Sequence, residues 1–482
     1  MNFGIVIRVL GILLIIESIL MLPSLFISIY TNGIDKIPFL IAIGIGIVIG
    51  VVLSRRRNHK KQISARDGLA IVSLGWIMAS IIGAIPLYLS NSTPTYIDAF
   101  FEIVSGLTTT GATVIANVEG LPQGIIFWRS FTHWIGGMGI LVFTIALLPA
   151  LGVGGFQIYK AESPGPVAGK IAPRIKDTAK ILYKTYGIIT ITQVILLLIG
   201  GMSLFESLIH TFGTVGTGGF SNKGNSIAFY NSTYIHLVIG IFMVLSGVNF
   251  SLYYSLFKKK FKEVFNDGEL KLYLGIVLAA TLFIALNLIF TSYSSVGLAF
   301  RDSFFQVGSI MTTTGYSTVD FDLWPSFSKG ILLILMVIGG SAGSTAGGTK
   351  VIRILVLFKL IKRETTKIFH PRAVIPLKDN GKTISDETVV SICSFMALYV
   401  IIFALSTLLV SLEGVDLISA ASSVLATLSN VGPGLGFIGP TRTFGEFHQI
   451  TKVLFSILML LGRLELFTII ALIAPKNWRR EL

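Results

Sequence analysis

Four times in this 482-residue chain a short amphipathic stretch with an early acid or polar residue runs into a turn centred on glycine. The first is Ile97-Asp98-Ala99-Phe100-Phe101-Glu102, leading to Thr109-Thr110-Gly111-Ala112-Thr113. The second, Leu204-Phe205-Glu206-Ser207, leads to Thr217-Gly218-Gly219-Phe220-Ser221. The third, Phe300-Arg301-Asp302-Ser303-Phe304-Phe305, leads to Thr313-Thr314-Gly315-Tyr316-Ser317, and the fourth, Leu417-Ile418-Ser419-Ala420-Ala421, to Asn430-Val431-Gly432-Pro433-Gly434. An apolar stretch precedes each short helix and another follows each turn. The preceding stretches lie near 68–90, 180–202, 270–292 and 388–412, and the following ones near 123–150, 233–257, 327–360 and 449–474. Repetition at this period dictates a fold of four like units.

Those stretches are long enough to cross a bilayer, which takes about 20 mostly apolar residues. Apolar residues make up 53% of the chain and charged ones 13%, against roughly a quarter in soluble domains. The expected fold is an all-α polytopic membrane protein with four pseudo-symmetric helix–pore loop–helix repeats around one pore. An additional N-terminal pair of spans at 4–29 and 38–54 brings the count to ten full spans. The first run is too long for a removable signal peptide and lacks a small-residue cleavage pattern. The units divide as 1–66, 67–155, 156–262, 263–365 with a broken second span, and 366–482.

A net charge of +14 could indicate a nucleic-acid binder, but its distribution argues otherwise. Of 38 Lys and Arg, 29 fall in 55–66, 160–184, 258–271, 350–382 and 476–480, places separated by pairs of apolar stretches. The intervening segments 31–38, 91–123, 220–233, 293–328 and 413–449 hold ten Asp or Glu against four Lys or Arg. The positive-inside rule then puts the basic loops and both termini in the cytoplasm, where the basic side chains also meet anionic lipid. Cys393 is the single cysteine, so no disulfide framework or thiolate metal site can form, and the six histidines lack metal-pair spacing. Asn91-Ser92-Thr93 and Asn231-Ser232-Thr233 match the glycosylation pattern, a match common by chance.

A dehydrated cation needs a ring of oxygens in place of its water shell, and carbonyls of re-entrant loops supply one. Non-helical backbone at membrane depth is tolerated only where protein or a water-filled cavity surrounds it. Glycine permits the positive φ that turns successive carbonyls toward one axis. The expected filter is Thr109, Thr110, Gly111, Gly218, Gly219, Thr313, Thr314, Gly315, Asn430, Val431 and Gly432. Its cation, K⁺, meets the carbonyls of Thr110, Gly111, Gly218, Gly219, Thr314, Gly315, Val431 and Gly432. A glycine flanked by threonine more often serves helix packing, but four such turns in register, each between two spans, argue for a filter. In the second repeat, alignment of Gly-Phe-Ser with Gly-Tyr-Ser of the third selects Gly219 as the centre, with one residue of play.

The span after the third turn contains Gly339-Gly340-Ser341-Ala342-Gly343-Ser344-Thr345-Ala346-Gly347-Gly348. Five glycines there preclude a stable helix, at about 1 kcal/mol each relative to alanine. An unwound stretch at this depth borders an aqueous pore or marks a close helix crossing. Arg463, inside the last span, is a costly charge that marks a pathway or a specific partner. The expected gate comprises Gly339, Gly340, Ser341, Gly343, Ser344, Thr345, Gly347, Gly348 and Arg463, with Arg463 bound to carbonyls of the loop. A structural ion pair for Arg463 is the alternative. Glu465, two positions on, points off a different helical face.

These turns resemble the TrkH-type membrane subunit of the Trk/Ktr/HKT superfamily of potassium transporters. So do Phe131-Thr132-His133-Trp134-Ile135-Gly136-Gly137-Met138-Gly139, Tyr159-Lys160-Ala161-Glu162-Ser163-Pro164-Gly165-Pro166 and Asn430-Val431-Gly432-Pro433-Gly434-Leu435-Gly436. The resemblance covers the chain, including the extra N-terminal pair. It implies four pseudo-equivalent units, a homodimer with one pore per subunit, and a cytosolic nucleotide-binding regulatory ring subunit of the TrkA type. It further implies an intramembrane gating loop beneath the filter and K⁺ selectivity where all four centres are glycine, serine at the first centre going with Na⁺ permeation. The expected function is potassium uptake across a bacterial inner membrane, with K⁺ as the transported ion and no cofactor in this chain.

Two other readings compete. The same fold could couple K⁺ to H⁺ or Na⁺ in symport, with Glu17 and Glu465 as the candidate buried carboxylates. An intramembrane serine protease would use Ser341 or Ser344, but His133, within an expected span, stands near its outer end. Gly434-Leu435-Gly436-Phe437-Ile438-Gly439 matches a dinucleotide-binding pattern without the strand that should precede it. The stretch 343–350 approximates a phosphate loop but ends Gly-Thr-Lys.

Overall fold

Several of the long helices begin where a side chain caps them. In this computed structural model, which describes residues 2–55, 64–139 and 175–468, α1 (Phe3–Leu20) starts behind Asn2, whose side chain accepts the N–H of Ile5. After a break at Met21 the chain continues as α2 (Leu22–Tyr30), with Pro23 in its first turn, where no N–H is needed. α3 (Lys36–Ser54) returns against α1. Gly11 and Gly50 make that approach possible: a Cβ on either would lie under 3 Å from the other's carbonyl oxygen.

The four units follow in chain order. The first holds α4 (Ala65–Leu89), α5 (Tyr96–Leu107) and α6 (Gln123–Gly137), with α4 opened by a capping box between Ser64 and Asp67. The second holds α7 (Ile175–Ile199), α8 (Leu204–Val215), α9 (Thr233–Ser246) and α10 (Phe250–Phe257), followed by the short α11 (Phe261–Phe265). The third holds α12 (Gly268–Thr291), α13 (Val296–Met311), α14 (Ser326–Ile338) and α15 (Val351–Phe369). The fourth holds α16 (Asp386–Ser411), α17 (Leu417–Leu428) and α18 (Gln449–Arg463). The four short helices α5, α8, α13 and α17 are capped by Thr95, Ser203, Ser295 and Asp416, each accepting a first-turn N–H.

The outward faces are apolar. Ile37, Val48 and Val52 on α3, Ile191 and Ile199 on α7, Leu278 and Phe290 on α12, and Leu405 and Leu408 on α16 are all exposed. Such a surface is matched to hydrocarbon and not to water. Among the described residues six helical stretches are long and apolar enough to cross a membrane, or seven if the bent pair α9 and α10 counts as one.

Three expectations change. The stretch 233–257 is not one continuous helix: α9 stops at Ser246 and α10 departs from it by 94°. Gly247-Val248-Asn249 makes the break, with Asn249 capping α10. In the first repeat α6 ends at Gly137, and 140–150 lies outside the described residues, as does the 159–166 motif. In the fourth, α18 ends at Arg463 and Glu465 takes a positive φ of 64°. Among the described residues the helix after each turn thus stops early in every unit, at Gly137, Ser246, Ile338 and Arg463, although only the third stop was legible from its glycines. Among the described residues there is also one strand pair: Lys378–Asp379 pairs antiparallel with Lys382–Thr383 across Asn380-Gly381, both at positive φ, as a two-residue hairpin turn requires.

Candidate functional site: a ring of four glycine turns

Each short helix ends in the same way. Backbone N–H groups of Thr110, Gly218, Thr314 and Val431 donate back to carbonyls of Ser105, Gly213, Ser309 and Ala426 at 2.8–2.9 Å. This closure requires a left-handed residue, and Thr109, Thr217, Thr313 and Asn430 adopt it with φ of 55°, 56°, 56° and 57°. Asparagine visits this region readily, whereas a β-branched threonine pays of order 1–3 kcal/mol to stay there. Three strained threonines at equivalent positions are the mark of a built site. Thr217 belongs to this set although the sequence drew attention only to the two glycines after it. Two residues on, Gly111, Gly219, Gly315 and Gly432 have φ of 80°, 78°, 84° and 95°.

The four turns meet in a closed cycle. A Cβ on Gly111 would strike the carbonyl oxygen of Gly218, and one on Gly219 the carbonyl of Thr314. One on Gly315 would strike the carbonyl of Val431, and one on Gly432 the carbonyl of Thr110, completing the circuit in chain order. The same relationship makes Gly219 the centre of the second turn. All the filter residues named from sequence come together here, and Thr109, Thr110, Thr313, Thr314, Asn430 and Val431 are fully buried. Hydroxyls of Thr108 and Thr110 lie 2.8 Å apart, as do those of Thr312 and Thr314.

Side chains tie the repeats together behind the ring. Asn430 Nδ2 donates to Thr110 Oγ1 and to the Met459 carbonyl, both at 2.9 Å. Glu102, buried, pairs with Arg129 and accepts from Thr113 Oγ1 and Val114 N–H. Lys452 reaches Asp98 at 2.7 Å, joining the fourth repeat to the first. His133 stands in the last turn of α6 against the second turn of the ring, not near an outer end, because α6 stops at Gly137.

On one side of the ring lies the chain from Gly339 to Lys350, with positive φ at Gly339, Gly343, Gly348 and Lys350. It is bonded to the ring: Gly347 N–H donates to Thr313 Oγ1 at 2.6 Å and Gly348 N–H to the Ser429 carbonyl at 2.9 Å. Ser341 N–H donates to the Gly247 carbonyl at the break between α9 and α10, and Ser344 Oγ to the Ser341 carbonyl. Gly340 packs so closely on Ala346 that a Cβ would overlap it. Arg463 donates from Nη1 to the Thr345 carbonyl at 2.7 Å and from Nη2 to the carbonyls of Gly136 and Gly137 at 2.6 and 3.1 Å. One guanidinium thus bonds the loop and the end of α6 at once.

Three residues around this loop were not anticipated from sequence. Glu269 Oε1 accepts the N–H of Ala342 at 2.7 Å and of Ile352 at 3.0 Å, binding both flanks of the loop. Lys350 Nζ donates to the Ala346 carbonyl. Arg353 donates to the Thr349 carbonyl at 2.9 Å, pairs with Glu465 and stacks 3.8 Å from the Phe395 ring centroid. A carboxylate opening an apolar run, as Glu269 does for α12, was the one signal available. Within Gly434 to Gly439, Gly436–Ile438 forms a short 3₁₀ turn after the fourth turn of the ring, and among the described residues no βαβ unit opens there.

The family described as "TrkH: Cation transport protein" matches residues 37–480. The chain is 39% identical to the "Trk system potassium uptake protein TrkH" of Salmonella typhimurium over 487 residues, covering 99% of this chain and 100% of that one. It is 37% identical to the protein of the same name from Halomonas elongata, with full coverage of both. The crystal structure of the potassium transporter TrkH from Vibrio parahaemolyticus superimposes with a TM-score of 0.89 at 36% identity, over 99% of this chain and 100% of that one. A match of this extent in sequence and fold leaves no room for a serine hydrolase, and the chain belongs to the TrkH family of cation transport proteins.

Proposed function

We propose that this chain carries K⁺ into the cell through the ring of four glycine turns, with the loop from Gly339 to Lys350 as its gate. The closed cycle of positive-φ glycines carries the reading. Carbonyls of Thr110, Gly111, Gly218, Gly219, Thr314, Gly315, Val431 and Gly432 replace the water shell of the ion. The C-terminal ends of α5, α8, α13 and α17 point their partial negative charge toward the ion path. Relatives named as potassium uptake proteins support K⁺ as the ion.

The gate reading rests on Arg463 and on the loop's bonds to Thr313 and Ser429. A cation at the ring meets a fixed positive charge that the loop carbonyls hold in place. Opening requires those bonds to break. The surrounding organisation we propose is ten spans in five units, both termini cytoplasmic, in a bacterial inner membrane. A homodimer and a cytosolic nucleotide-binding ring subunit of the TrkA type complete it, the name "Trk system" of the relatives implying further subunits.

Uptake of ⁸⁶Rb⁺ against ²²Na⁺ in a K⁺-requiring strain, with Gly111→Ser, tests the filter. Loss of preference for Rb⁺ is expected, and an unchanged preference would overturn the reading. Rb⁺ flux in sealed vesicles that requires an imposed H⁺ or Na⁺ gradient would replace the channel by symport.

A further inference from the structure

We infer that His133 and Tyr316 set ion selectivity by clamping the backbone of Phe220, the residue after the second filter glycine; this rests on the filter reading above. His133 Nδ1 lies 2.8 Å from the Gly106 carbonyl on α5, and its Nε2 accepts the N–H of Phe220 at 3.2 Å. A carbonyl can only accept and an amide N–H can only donate. The ring therefore carries its proton on Nδ1 and presents a bare Nε2 to the filter strand. From the opposite side Tyr316 Oη donates to the Phe220 carbonyl at 3.0 Å. One peptide residue of the second repeat is held at its N–H by the first repeat and at its C=O by the third.

The clamp explains the second glycine of Thr217-Gly218-Gly219. At the equivalent position the other repeats carry Thr110, Thr314 and Val431. A Cβ on Gly218 would run into the imidazole of His133. The side chain missing from the second strand is thus replaced by a ring from the first repeat. The Phe220 side chain is held as well, its ring centroid 4.2 Å from that of His133 and 4.2 Å from the Arg129 guanidinium carbon. The corresponding residues of the other repeats are held differently. Tyr316 gives its carbonyl to Ser309 Oγ of its own repeat at 2.6 Å, and Pro433 has no N–H to offer.

Discrimination between K⁺ and the smaller Na⁺ depends on how firmly the carbonyl ring resists contraction or on how many oxygens it presents. Fixing Phe220 from both sides fixes the orientation of the Gly219–Phe220 peptide, hence the Gly219 carbonyl. Without the clamp that carbonyl can follow a smaller ion inward. His133 and Tyr316 are positioning residues in this scheme, because neither touches the ion.

The test measures the ratio of Rb⁺ to Na⁺ uptake by the full chain in proteoliposomes, per folded protein. His133→Ala and Tyr316→Phe should each lower the ratio about ten-fold, the scale of one lost buried hydrogen bond. His133→Gln, whose amide carries both a donor and an acceptor, should retain most of it. An unchanged ratio in His133→Ala and Tyr316→Phe, with Gly111→Ser shifting it, overturns the clamp and leaves the filter standing. An unchanged ratio in all three removes the filter reading and the clamp with it. If His133→Ala yields no folded protein, the ratio in Tyr316→Phe decides in the same way.

Discussion

Thr313 Oγ1 accepts the N–H of Gly347 at 2.6 Å, so a threonine of the ring and a glycine of the loop beside it share one bond. Thr313 is itself held in the left-handed region. Its hydroxyl therefore belongs to the strained third turn of the ring and to the loop from Gly339 to Lys350 at once. Thr313→Val keeps the β-branched shape and removes the acceptor, leaving a buried N–H unpaired at a cost of about 1–3 kcal/mol to the closed loop. Single-channel recording should show open probability rising roughly ten-fold or more; no rise would mean the bond plays no part in closure.

Arg463 contributes three bonds to carbonyls and, in the proposed gate, a positive charge beside the ion path. Arg463→Ala removes all of them. Deleting 341–347 removes the loop that the guanidinium holds. Both changes should raise K⁺ flux through single channels. The gate assignment is wrong if flux is unchanged in both.

Glu269 binds the loop from its other side, and the two substitutions at this position separate charge from hydrogen bonding. Glu269→Gln keeps a carbonyl oxygen for the N–H groups of Ala342 and Ile352, whereas Glu269→Ala leaves both unpaired. Each unpaired amide costs about 1–3 kcal/mol. Resting ⁸⁶Rb⁺ leak should increase far more in the alanine variant than in the glutamine one. Equal leak in the two would assign the effect to charge alone.

The Glu102–Arg129 pair is fully buried among α5, α6 and the first filter turn. Removing one partner leaves the other charge stranded, typically costing 3–5 kcal/mol. Arg129→Ala should therefore lower the unfolding temperature of the detergent-purified protein and its yield as a monodisperse species. Adding Glu102→Gln should recover part of that loss. Recovery would be absent if Arg129 acted through its contact with Phe220 instead of through Glu102.

The four glycine turns were legible because their backbone requirement is local. Thr-Thr-Gly after a short amphipathic helix encodes a left-handed residue and a positive-φ glycine within five positions, and Gly111 and Gly315 stand where that pattern puts them. The break in the third unit was legible for the same reason, since five glycines cannot stay helical. The break after Ser246 was not, because Gly247-Val248-Asn249 is an ordinary sequence within an apolar run. Glu269 offered only the faint signal of a carboxylate opening an apolar run, because its partners lie 73 and 83 residues away.

By itself the sequence determined the membrane setting and the φ that each turn residue tolerates, and it carried the expectation of four like units. Tertiary structure alone decided which of Gly218 and Gly219 is the centre and what fills the space beside Gly218. It also decided which carbonyls Arg463 bonds and which repeat holds which. Those choices rest on bonds such as His133 to Phe220 and Asn430 to Thr110, across 87 and 320 residues. A hydrogen bond acts over about 3 Å and so records where the fold brings atoms, not their order along the chain.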